Sequence, residues 1–351
     1  MTSALEERVR AHLAEINRTG LQRVMRPPTG IDLSSNDYLG LAVHPVVKER
    51  MAAAVLEFGA GSTGSRLLRG DRACFHAVEG KFAHFKGAER ALYFSSGYLA
   101  NLAVLTTFPD EGDVVFSDSL NHASLIDGIR LSRARREIYA HGTVPAARGH
   151  FLVTESLFSM DGDIAPLNDL TASGAHLIVD EAHAVGVFGP GLAEDPFLSI
   201  NPCGKALGVS GAFVCGPAWA IDYLVQRARP FIFSTAPPPA VAAALDAALD
   251  ILAAEPERSL RVRQLSRYLR GRLGLPDSES PILPIMVGDN DRAVALAVAL
   301  QRDGFDVRAI RPPTVPPGTA RLRISINCNL TEAILDQFAS SLEKHQCAAS
   351  S

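Results

Sequence analysis

The sequence predicts an α/β protein with a mainly parallel central sheet, and two observations lead to that prediction. Short apolar runs, such as ALYFS (91–95) and HLIVD (176–180), alternate along the chain with longer helical patterns. Alternation of this kind favours parallel strands that are joined by helices. The chain also has 351 residues, of which 47% are hydrophobic, so it can bury a large core and form roughly two domains.

The remaining elements follow the same alternation. Further strands are predicted at DVVFS (113–117), EIYA (137–140), HFLVTES (150–156) and GAFVCG (211–216), and helices at 74–85, 98–107, 122–133 and 217–228. A Pro-rich segment and an Ala-rich helix then lead into a smaller α+β region, with strands at 281–288, 305–310 and 320–327 and helices at 291–302 and 331–343. We therefore predict an N-terminal arm (1–40), a large domain (41–244) and a small C-terminal domain (245–351).

Charge and cysteine content narrow the class of protein. With 34 Lys and Arg against 38 Asp and Glu, the net charge is −4, which argues against sequence-independent binding of nucleic acid. The five cysteines are scattered and form no CxxC pair, so neither a disulfide framework nor a zinc site is expected. The N-terminus reads as a charged amphipathic helix, and no apolar stretch is long enough to cross a membrane. A cytoplasmic protein without a metal is the expectation.

Two charged side chains stand at or just beyond the ends of apolar segments. Asp180 ends the run HLIVD, where a carboxylate must be hydrogen-bonded or paired because burying it alone is costly. A helix cap or a magnesium ligand is the alternative, although no GxxxxGK[ST] loop accompanies it. Lys205 lies in the small-residue segment NPCGKALGVSG, where desolvation would lower its pKa and free a nucleophilic amine. A solvated turn lysine is the alternative there.

Three further motifs also follow predicted strands. SSGYLAN (95–101) opens a helix whose N-terminal N–H groups could face an anion, or it is only a cap. His122 in DSLNHASL begins a helix and could stack on a flat ligand, or it caps the helix or packs in the core. TESLFSMDGD (154–163) places Glu155 and Ser159 after another strand.

All five features lie where α/β proteins bind ligands, at the carboxyl ends of strands. A Schiff-base lysine, an upstream aspartate, a phosphate loop and a stacking histidine are the parts that pyridoxal 5'-phosphate requires. That cofactor is therefore predicted.

These motifs resemble the α-oxoamine synthases, which are fold-type-I pyridoxal-phosphate enzymes. The resemblance runs collinearly through LSSNDYLGL (33–41), FGAGSTGSRLLRG (58–70), SSGYLAN, DSLNHASLIDG, TESLFSMDGD, DEAHAVGVFG (180–189), GKALGVSGA (204–212), FSTAPPPA (233–240) and IRPPTVPPGTARLRIS (310–325). It implies the fold-type-I architecture of a large domain with a mainly parallel seven-stranded sheet and a smaller C-terminal domain. It also implies a homodimer in which the two subunits share their active sites.

The resemblance implies a role for each matching residue toward the cofactor. Lys205 would form the Schiff base, Asp180 would pair with the pyridine nitrogen, His183 would bond the phenolic oxygen and His122 would stack on the ring. The phosphate side would involve Gly97, Tyr98, Ser159 and, from the neighbouring subunit, Thr235.

Substrate contacts are implied in the same way. Arg323 would hold the amino-acid carboxylate, with Asn36 and Glu155 lining that end; Arg321 alternates with Arg323, so one of the two should face outward. Thr314 would contact the acyl substrate, Arg311 the acyl chain or thioester, and either Arg23 or Arg26 would come from the arm.

One position departs from the family pattern. The family usually has a threonine three residues before the lysine, where its hydroxyl donates to the phosphate, whereas this chain has Pro202, which has no donor. The interval from Asp180 to Lys205 is also short, at 205 − 180 = 25 positions. Either Asn201, Cys203 or Ser210 replaces the threonine, or the cofactor is held more loosely.

The last motif favours one branch of the family, which condenses L-alanine with a pimeloyl thioester of CoA or acyl carrier protein. That reaction releases carbon dioxide and thiol and yields 8-amino-7-oxononanoate for biotin. The freed Lys205 amine would be the base, and His122 could donate to the thioester carbonyl. The alternatives are a sister synthase that uses glycine with acetyl-CoA or succinyl-CoA, a fold-related aminotransferase, or a non-catalytic cofactor-binding protein.

Overall fold

The fold is described from a computed structural model, which covers residues 3–348. The helices are α1 (Ala4–Arg18), α2 (Pro45–Phe58), α3 (Ala73–Lys86), α4 (Gly97–Leu105), α5 (Ala123–Leu131), α6 (Leu167–Ala172), α7 (Ala218–Arg227), α8 (Arg229–Ile232), α9 (Pro239–Ala254), α10 (Glu257–Arg272), α11 (Asn290–Arg302) and α12 (Glu332–Ala348). The strands are β1 (Ile31–Asp32), β2 (Arg90–Phe94), β3 (Val114–Asp118), β4 (Arg135–Tyr139), β5 (Phe151–Glu155), β6 (His176–Asp180), β7 (Leu198–Pro202), β8 (Ala212–Gly216), β9 (Ile282–Gly288), β10 (Phe305–Asp306), β11 (Ala309–Ile310) and β12 (Ala320–Ser325).

Seven strands form the main sheet in the order β2-β8-β7-β6-β5-β3-β4. β8 runs antiparallel to both of its neighbours, and the other pairs are parallel. This confirms the mainly parallel sheet that the sequence predicts. The register pairs Glu155 with Asp180 at the carboxyl ends of β5 and β6, so the loops that follow these strands begin side by side.

The apolar runs of the sequence predict six of the seven strands of the main sheet, and the strand that they miss is β7. It reads LSINP, and its polar residues and proline have low strand propensity. It is nevertheless fully buried between β6 and β8. Asn201 can be buried because its amide donates to the carbonyl oxygens of Ser199, at 3.2 Å, and Phe213, at 3.3 Å. Tertiary packing therefore overrides local propensity in this strand.

The two faces of the sheet pack into different parts of the core. On one face, Ile200 and Val214 contact a cluster that includes α4, α5 and α7. On the other face, Phe213 stacks on Phe82 of α3, with 4.1 Å between ring centroids. This second cluster continues through α9 to Leu283 and Ile324 of the smaller sheet.

The smaller sheet is antiparallel, in the order β11-β12-β9. The N-terminal segment packs against this part of the chain, as expected: β1 pairs in parallel with β10, and Arg311 donates to the carbonyl oxygens of Gly20 and Gln22. The domain limits at residues 40 and 244 stay predictions. Within residues 3–348, no helix combines the length and the apolar character needed to cross a membrane.

Candidate active site

A cavity of about 160 Å³ lies at the carboxyl ends of β5, β6 and β7, beside the N-termini of α4 and α5. It brings together most of the residues that were predicted to hold the cofactor. Its lining consists of Gly97, Tyr98, Asn101, His122, Ser124, Glu155, Asp180, Ala182, His183, Pro202 and Lys205. The predicted clustering of phosphate loop, histidine, aspartate and lysine is therefore observed in the structure.

Lys205 lies in the turn that follows β7. Burial lowers the pKa of its amine below the usual range, although the nearby carboxylates of Asp180 and Glu155 oppose that shift. In the described part of the chain, its Nζ makes no hydrogen bond or ion pair. Gly208 allows the turn, because its φ is +67° and a Cβ there would lie 2.3 Å from the backbone nitrogen of Ala42. The amine is thus held in the cavity without a partner.

Asp180 is 4% exposed and is fixed through both of its carboxylate oxygens. Asn101 Nδ2 donates to Oδ2 at 2.7 Å, and the backbone N–H of Ala182 donates to Oδ1 at 2.9 Å. Donors on both oxygens hold a buried carboxylate in one orientation. Asp180 is therefore suited to face a cationic ring nitrogen.

Glu155 is buried beside Asp180, and burial, reinforced by the charge of Asp180, raises its pKa to about 8 despite the opposing charge of Lys205. Its Oε1 atom and Oδ1 of Asn101 have no hydrogen-bond partner in the described structure. Buried polar atoms usually have partners, so these two atoms fit a cavity that a polar ligand completes. The donor set agrees with pyridoxal phosphate, which needs an amine, a carboxylate and an anion site.

The anion site is the N-terminus of α4, which begins at Gly97. N–H groups in the first turn of a helix have no partner within the helix and favour an anion. A Cβ on Gly97 would lie 2.7 Å from Cγ of Pro202, so only glycine fits against that proline. The Tyr98 hydroxyl donates to Asp127, and the Tyr98 side chain is 42% exposed.

None of the three candidate replacements for the threonine at Pro202 lines the cavity. The Asn201 amide is occupied within the sheet, and Cys203 is buried in the core, where its thiol lies 3.6 Å from the Asn201 carbonyl oxygen. Ser210 is exposed. The structure thus gives no support to a substitution by any of the three, and the alternative, a more loosely held cofactor, stays a prediction.

His183 connects the cavity to Arg323 through a residue that the sequence reasoning missed. The Tyr38 hydroxyl lies 2.7 Å from Nδ1 of His183, and Arg323 donates to the same hydroxyl at 3.2 Å. Arg323 also donates to Oδ1 of Asn36 at 3.0 Å and to the carbonyl oxygen of Ser159 at 2.5 Å. The structure thus places Asn36, Ser159 and Arg323 in one group beside His183.

Both arginines of β12 are buried, which corrects the expectation that one faces outward, because residues two positions apart on a strand lie on the same face of the sheet. Arg321 is 4% and Arg323 is 7% exposed. Arg321 can be buried because it pairs with Asp161 and donates to the carbonyl oxygen of Met160. The charge of Arg321 is thereby paired with Asp161, away from the cavity. Arg323 instead contacts Asn36 and Tyr38, which lie next to the cavity.

One larger cavity adjoins the site, and a second adjoins that larger cavity. One of about 740 Å³ is lined mainly by residues 119–123 and the proline-rich segment 312–317, and it shares His122 with the first cavity. Another of about 580 Å³ lies between the arm and the smaller sheet. Its lining includes Arg23, Arg26, Arg311 and Thr314. Thr314 lines both, so it marks the route between them.

Thr235 is exposed and does not line the cofactor cavity of its own chain. Its contact with a neighbouring subunit stays a prediction. Tyr38, Asn101 and Ser124 are the residues that the sequence reasoning missed. All three stand within motifs that the sequence analysis quotes, Tyr38 in LSSNDYLGL, Asn101 in SSGYLAN and Ser124 in DSLNHASLIDG, but no role was assigned to them.

Within the described residues, no group of histidine, cysteine or acidic side chains has the arrangement of a metal site.

The family model for class I and II aminotransferases matches residues 28–342. The 8-amino-7-oxononanoate synthase of Marinobacter nauticus is 46% identical over 347 residues, covering 91% of this chain and 88% of that protein.

Solved structures show the same likeness. The 8-amino-7-oxononanoate synthase of Francisella tularensis has a TM-score of 0.79 and 29% identity, and the match covers 92% of this chain and 99% of that one. A serine palmitoyltransferase from S. paucimobilis, solved with a pyridoxal phosphate–myriocin adduct, has a TM-score of 0.87 and 27% identity. That match covers 99% of this chain and 100% of the other.

Proposed function

The chain belongs to the class I and II aminotransferase family, in its α-oxoamine synthase branch, and on that premise we propose that it condenses L-alanine with a pimeloyl thioester. The products are 8-amino-7-oxononanoate, carbon dioxide and free thiol, a step of biotin synthesis. One observation carries the proposal. A single cavity is lined by Lys205, Asp180, His122 and His183, and Arg323 lies beside it, hydrogen-bonded to the Tyr38 hydroxyl.

Pyridoxal 5'-phosphate is the cofactor of this reaction, and the cavity residues fit it. When bound, it supplies an electron sink for the negative charge that develops at the α-carbon of the amino acid. Lys205 would bind its aldehyde carbon, and the carboxylate of Asp180 would pair with its ring nitrogen. The first-turn N–H groups of Gly97 and Tyr98 would hold its phosphate.

Lys205 is also suited to act as the base. Its lowered pKa keeps more of the amine neutral near pH 7, and a neutral amine can accept the proton from the α-carbon of alanine. Lys205 would therefore bind the cofactor first and move the proton afterwards.

Arg323 would orient the amino acid. Its guanidinium has five N–H donors, of which Nε, both Nη2 hydrogens and one Nη1 hydrogen already donate to Ser159, Asn36, Tyr38 and Ser325. The remaining Nη1 hydrogen can donate to the carboxylate of alanine, and a second bond forms only if the carboxylate replaces one of these partners. Bonds to Asn36, Tyr38 and the carbonyl oxygen of Ser159 fix its position, so little side-chain freedom is lost when the substrate arrives.

The cavity of about 740 Å³ would hold the acyl chain. Its wall of prolines and apolar residues suits a row of methylene groups, and it meets the cofactor cavity at His122. Thr314 would contact the chain where this cavity meets the arginine-lined one. Arg311 is bound to backbone carbonyls of the arm, so it would hold the arm in place rather than contact the thioester.

We further propose a homodimer in the cytoplasm, with pimeloyl-CoA or pimeloyl-acyl carrier protein as the acyl donor. The exposure of Thr235 supports a dimer in which it reaches the neighbouring site. Exposed apolar residues along α1, including Leu5 and Leu13, also suit a covered face. All five cysteines are unpaired, which suits a reducing compartment.

The direct test incubates the cofactor-loaded protein with L-alanine and pimeloyl-CoA and identifies the products by mass spectrometry. The expected result is 8-amino-7-oxononanoate with equal amounts of carbon dioxide and thiol. Parallel reactions with glycine and acetyl-CoA or succinyl-CoA test the sister synthases, and exchange with 2-oxo acids tests an aminotransferase. Preferred turnover in either parallel reaction, or no turnover at all, would reject the proposal.

A further inference from the structure

A chain of buried side chains connects Asp180 to His122. Asn101 is 1% exposed, and its Nδ2 lies 2.7 Å from Oδ2 of Asp180 and 2.8 Å from Oγ of Ser124. Ser124 Oγ in turn lies 2.8 Å from Nδ1 of His122. One amide group therefore contacts both the carboxylate at one end of the cavity and the hydroxyl that holds the histidine.

The direction of each hydrogen bond follows from the donors present. The Asn101 amide nitrogen has two hydrogens, one for Asp180 and one for Ser124. Rotating the amide by 180° would place its oxygen against the carboxylate of Asp180, and those two oxygens would repel each other. Because Ser124 Oγ accepts from Asn101, its single hydrogen is free to be donated to His122 Nδ1.

A second donor confirms the acceptor role of Nδ1. The backbone N–H of Ser124 also donates to His122 Nδ1, at 3.3 Å, in the cap of α5. A nitrogen that accepts from two donors cannot carry a hydrogen itself. Burial lowers the pKa of His122, which favours the neutral ring with one hydrogen, and that hydrogen must then be on Nε2.

We propose that Asn101 is a positioning residue that fixes His122 as its Nε2–H tautomer through Ser124, while it holds the carboxylate of Asp180. His122 is then a hydrogen-bond donor and cannot remove a proton through Nε2. If the proposed function is correct, this donor can face the thioester oxygen that gains charge in the reaction, and proton removal is left to Lys205. The hydrogen-bond chain itself does not depend on which acyl substrate is used.

The experiment measures the tautomer of His122 by nuclear magnetic resonance of ¹⁵N-histidine-labelled protein, both cofactor-free and cofactor-loaded. The chain has ten histidines, and the signals of His122 are assigned by their loss in His122→Gln. The expected wild-type result is one protonated nitrogen at Nε2 and one acceptor nitrogen at Nδ1. A charged ring, or a hydrogen on Nδ1, would overturn the proposal.

Two variants separate the two bonds of Asn101. Ser124→Ala removes the hydroxyl at 2.8 Å but keeps the bond to Asp180, and Nδ1 of His122 then retains only the longer backbone donor at 3.3 Å. The Nε2–H tautomer should therefore lose population and kcat should fall about tenfold, while the absorption band of the bound cofactor stays in place. Asn101→Ala should also shift that band, because Asp180 loses a donor. Ser124→Thr should restore the wild-type tautomer. An unchanged tautomer in Ser124→Ala contradicts the proposal.

Ser199→Ala is the matched control, because Ser199 is a buried serine that accepts from a buried asparagine, Asn201, at 3.0 Å. It should leave the His122 signals unchanged. If Ser124→Ala does not fold, the tautomer in Asn101→Ala decides the question: the Nε2–H tautomer should lose population there, and an unchanged tautomer would contradict the proposal. Failure of the condensation assay with the Nε2–H tautomer observed would reject the substrate assignment but not the role of Asn101.

Discussion

The Tyr38 hydroxyl lies 2.7 Å from Nδ1 of His183, across 145 residues of sequence. Arg323 donates to that hydroxyl, so the single hydrogen of Tyr38 is available to His183 Nδ1 or, at 3.2 Å, to Oδ1 of Asn36. Burial, with the charges of Lys205 and Arg323, lowers the pKa of His183, so Nδ1 can accept. Because the contact with Nδ1 is the shorter one, the Tyr38 hydroxyl donates its hydrogen to Nδ1. The hydrogen of the neutral His183 ring is then on Nε2, where it is available to the phenolic oxygen of the cofactor.

Tyr38→Phe should weaken cofactor binding about tenfold, because His183 loses the donor that fixes its tautomer and a buried nitrogen is left without its partner. Titration with pyridoxal phosphate, followed by absorbance, measures the affinity. Tyr268→Phe removes a hydroxyl that bonds Asp336, outside the site, and should leave the affinity within twofold. Equal affinities in the wild type and Tyr38→Phe would contradict the role given to Tyr38.

Arg323→Lys should raise KM for L-alanine about 100-fold, because the three hydrogens of an ammonium group cannot replace the four bonds that hold Arg323 in place and also donate to a carboxylate. Arg321→Lys is the matched control on the same strand, since Arg321 pairs with Asp161 instead. Its KM should stay within threefold of wild type. Steady-state kinetics with varied alanine decide between them, and a larger effect at position 321 would reverse the assignment.

Pro202→Thr should tighten cofactor binding about tenfold. The proline lines the cavity against Gly97, where the family usually has a threonine hydroxyl, and a hydrogen bond to a charged group contributes about 1.5–3 kcal/mol. The dissociation constant is measured by equilibrium dialysis. Weaker binding in a folded Pro202→Thr variant would show that this chain holds the phosphate in another way.

His141 should make the stability of the fold depend on pH. Burial alone would lower the pKa of its ring, but hydrogen bonds to Asp163 and Asp118 outweigh burial and raise it. The stabilisation is therefore complete below the ordinary histidine pKa of about 6.5 and is lost as the pH rises through the higher value of the folded protein.

Urea unfolding at pH 6 and pH 9 measures this effect. The free energy of unfolding should fall more over that range in wild type than in His141→Gln. The difference between the two falls should be about 1 kcal/mol at most, because the ring is partly exposed. His12→Gln, on the exposed helix α1, should behave like wild type. The same fall in His141→Gln would place the pH dependence elsewhere.

The sequence identifies site residues that lie directly at strand ends better than it identifies the residues that hydrogen-bond to them. Asp180 and Glu155 could be found because a polar residue that closes an apolar run is conspicuous. Tyr38 and Asn101 could not be assigned roles, because their partners are 145 and 79 residues away along the chain. Distances of that kind are set only by the tertiary packing of helices against the sheet.

Strand β7 and the neighbours of Pro202 show the same limit. Asn201 looked available to the phosphate, but its amide satisfies the sheet around it. The two arginines of β12 could not be separated by alternation, because residues two positions apart on a strand lie on the same face. An ion pair with Asp161 then allows Arg321 to be buried as well. Buried charge is decided by its partner rather than by strand periodicity.

The most direct test of the central claim is to reduce the cofactor-loaded protein with borohydride and map the modified lysine by peptide mass spectrometry. The chain has five lysines: Lys48, Lys81, Lys86, Lys205 and Lys344. Lys81 and Lys86 are held in ion pairs, and Lys48 and Lys344 are exposed. The cofactor should be fixed at Lys205 alone; stoichiometric attachment at another lysine, or none, would contradict the proposed chemistry.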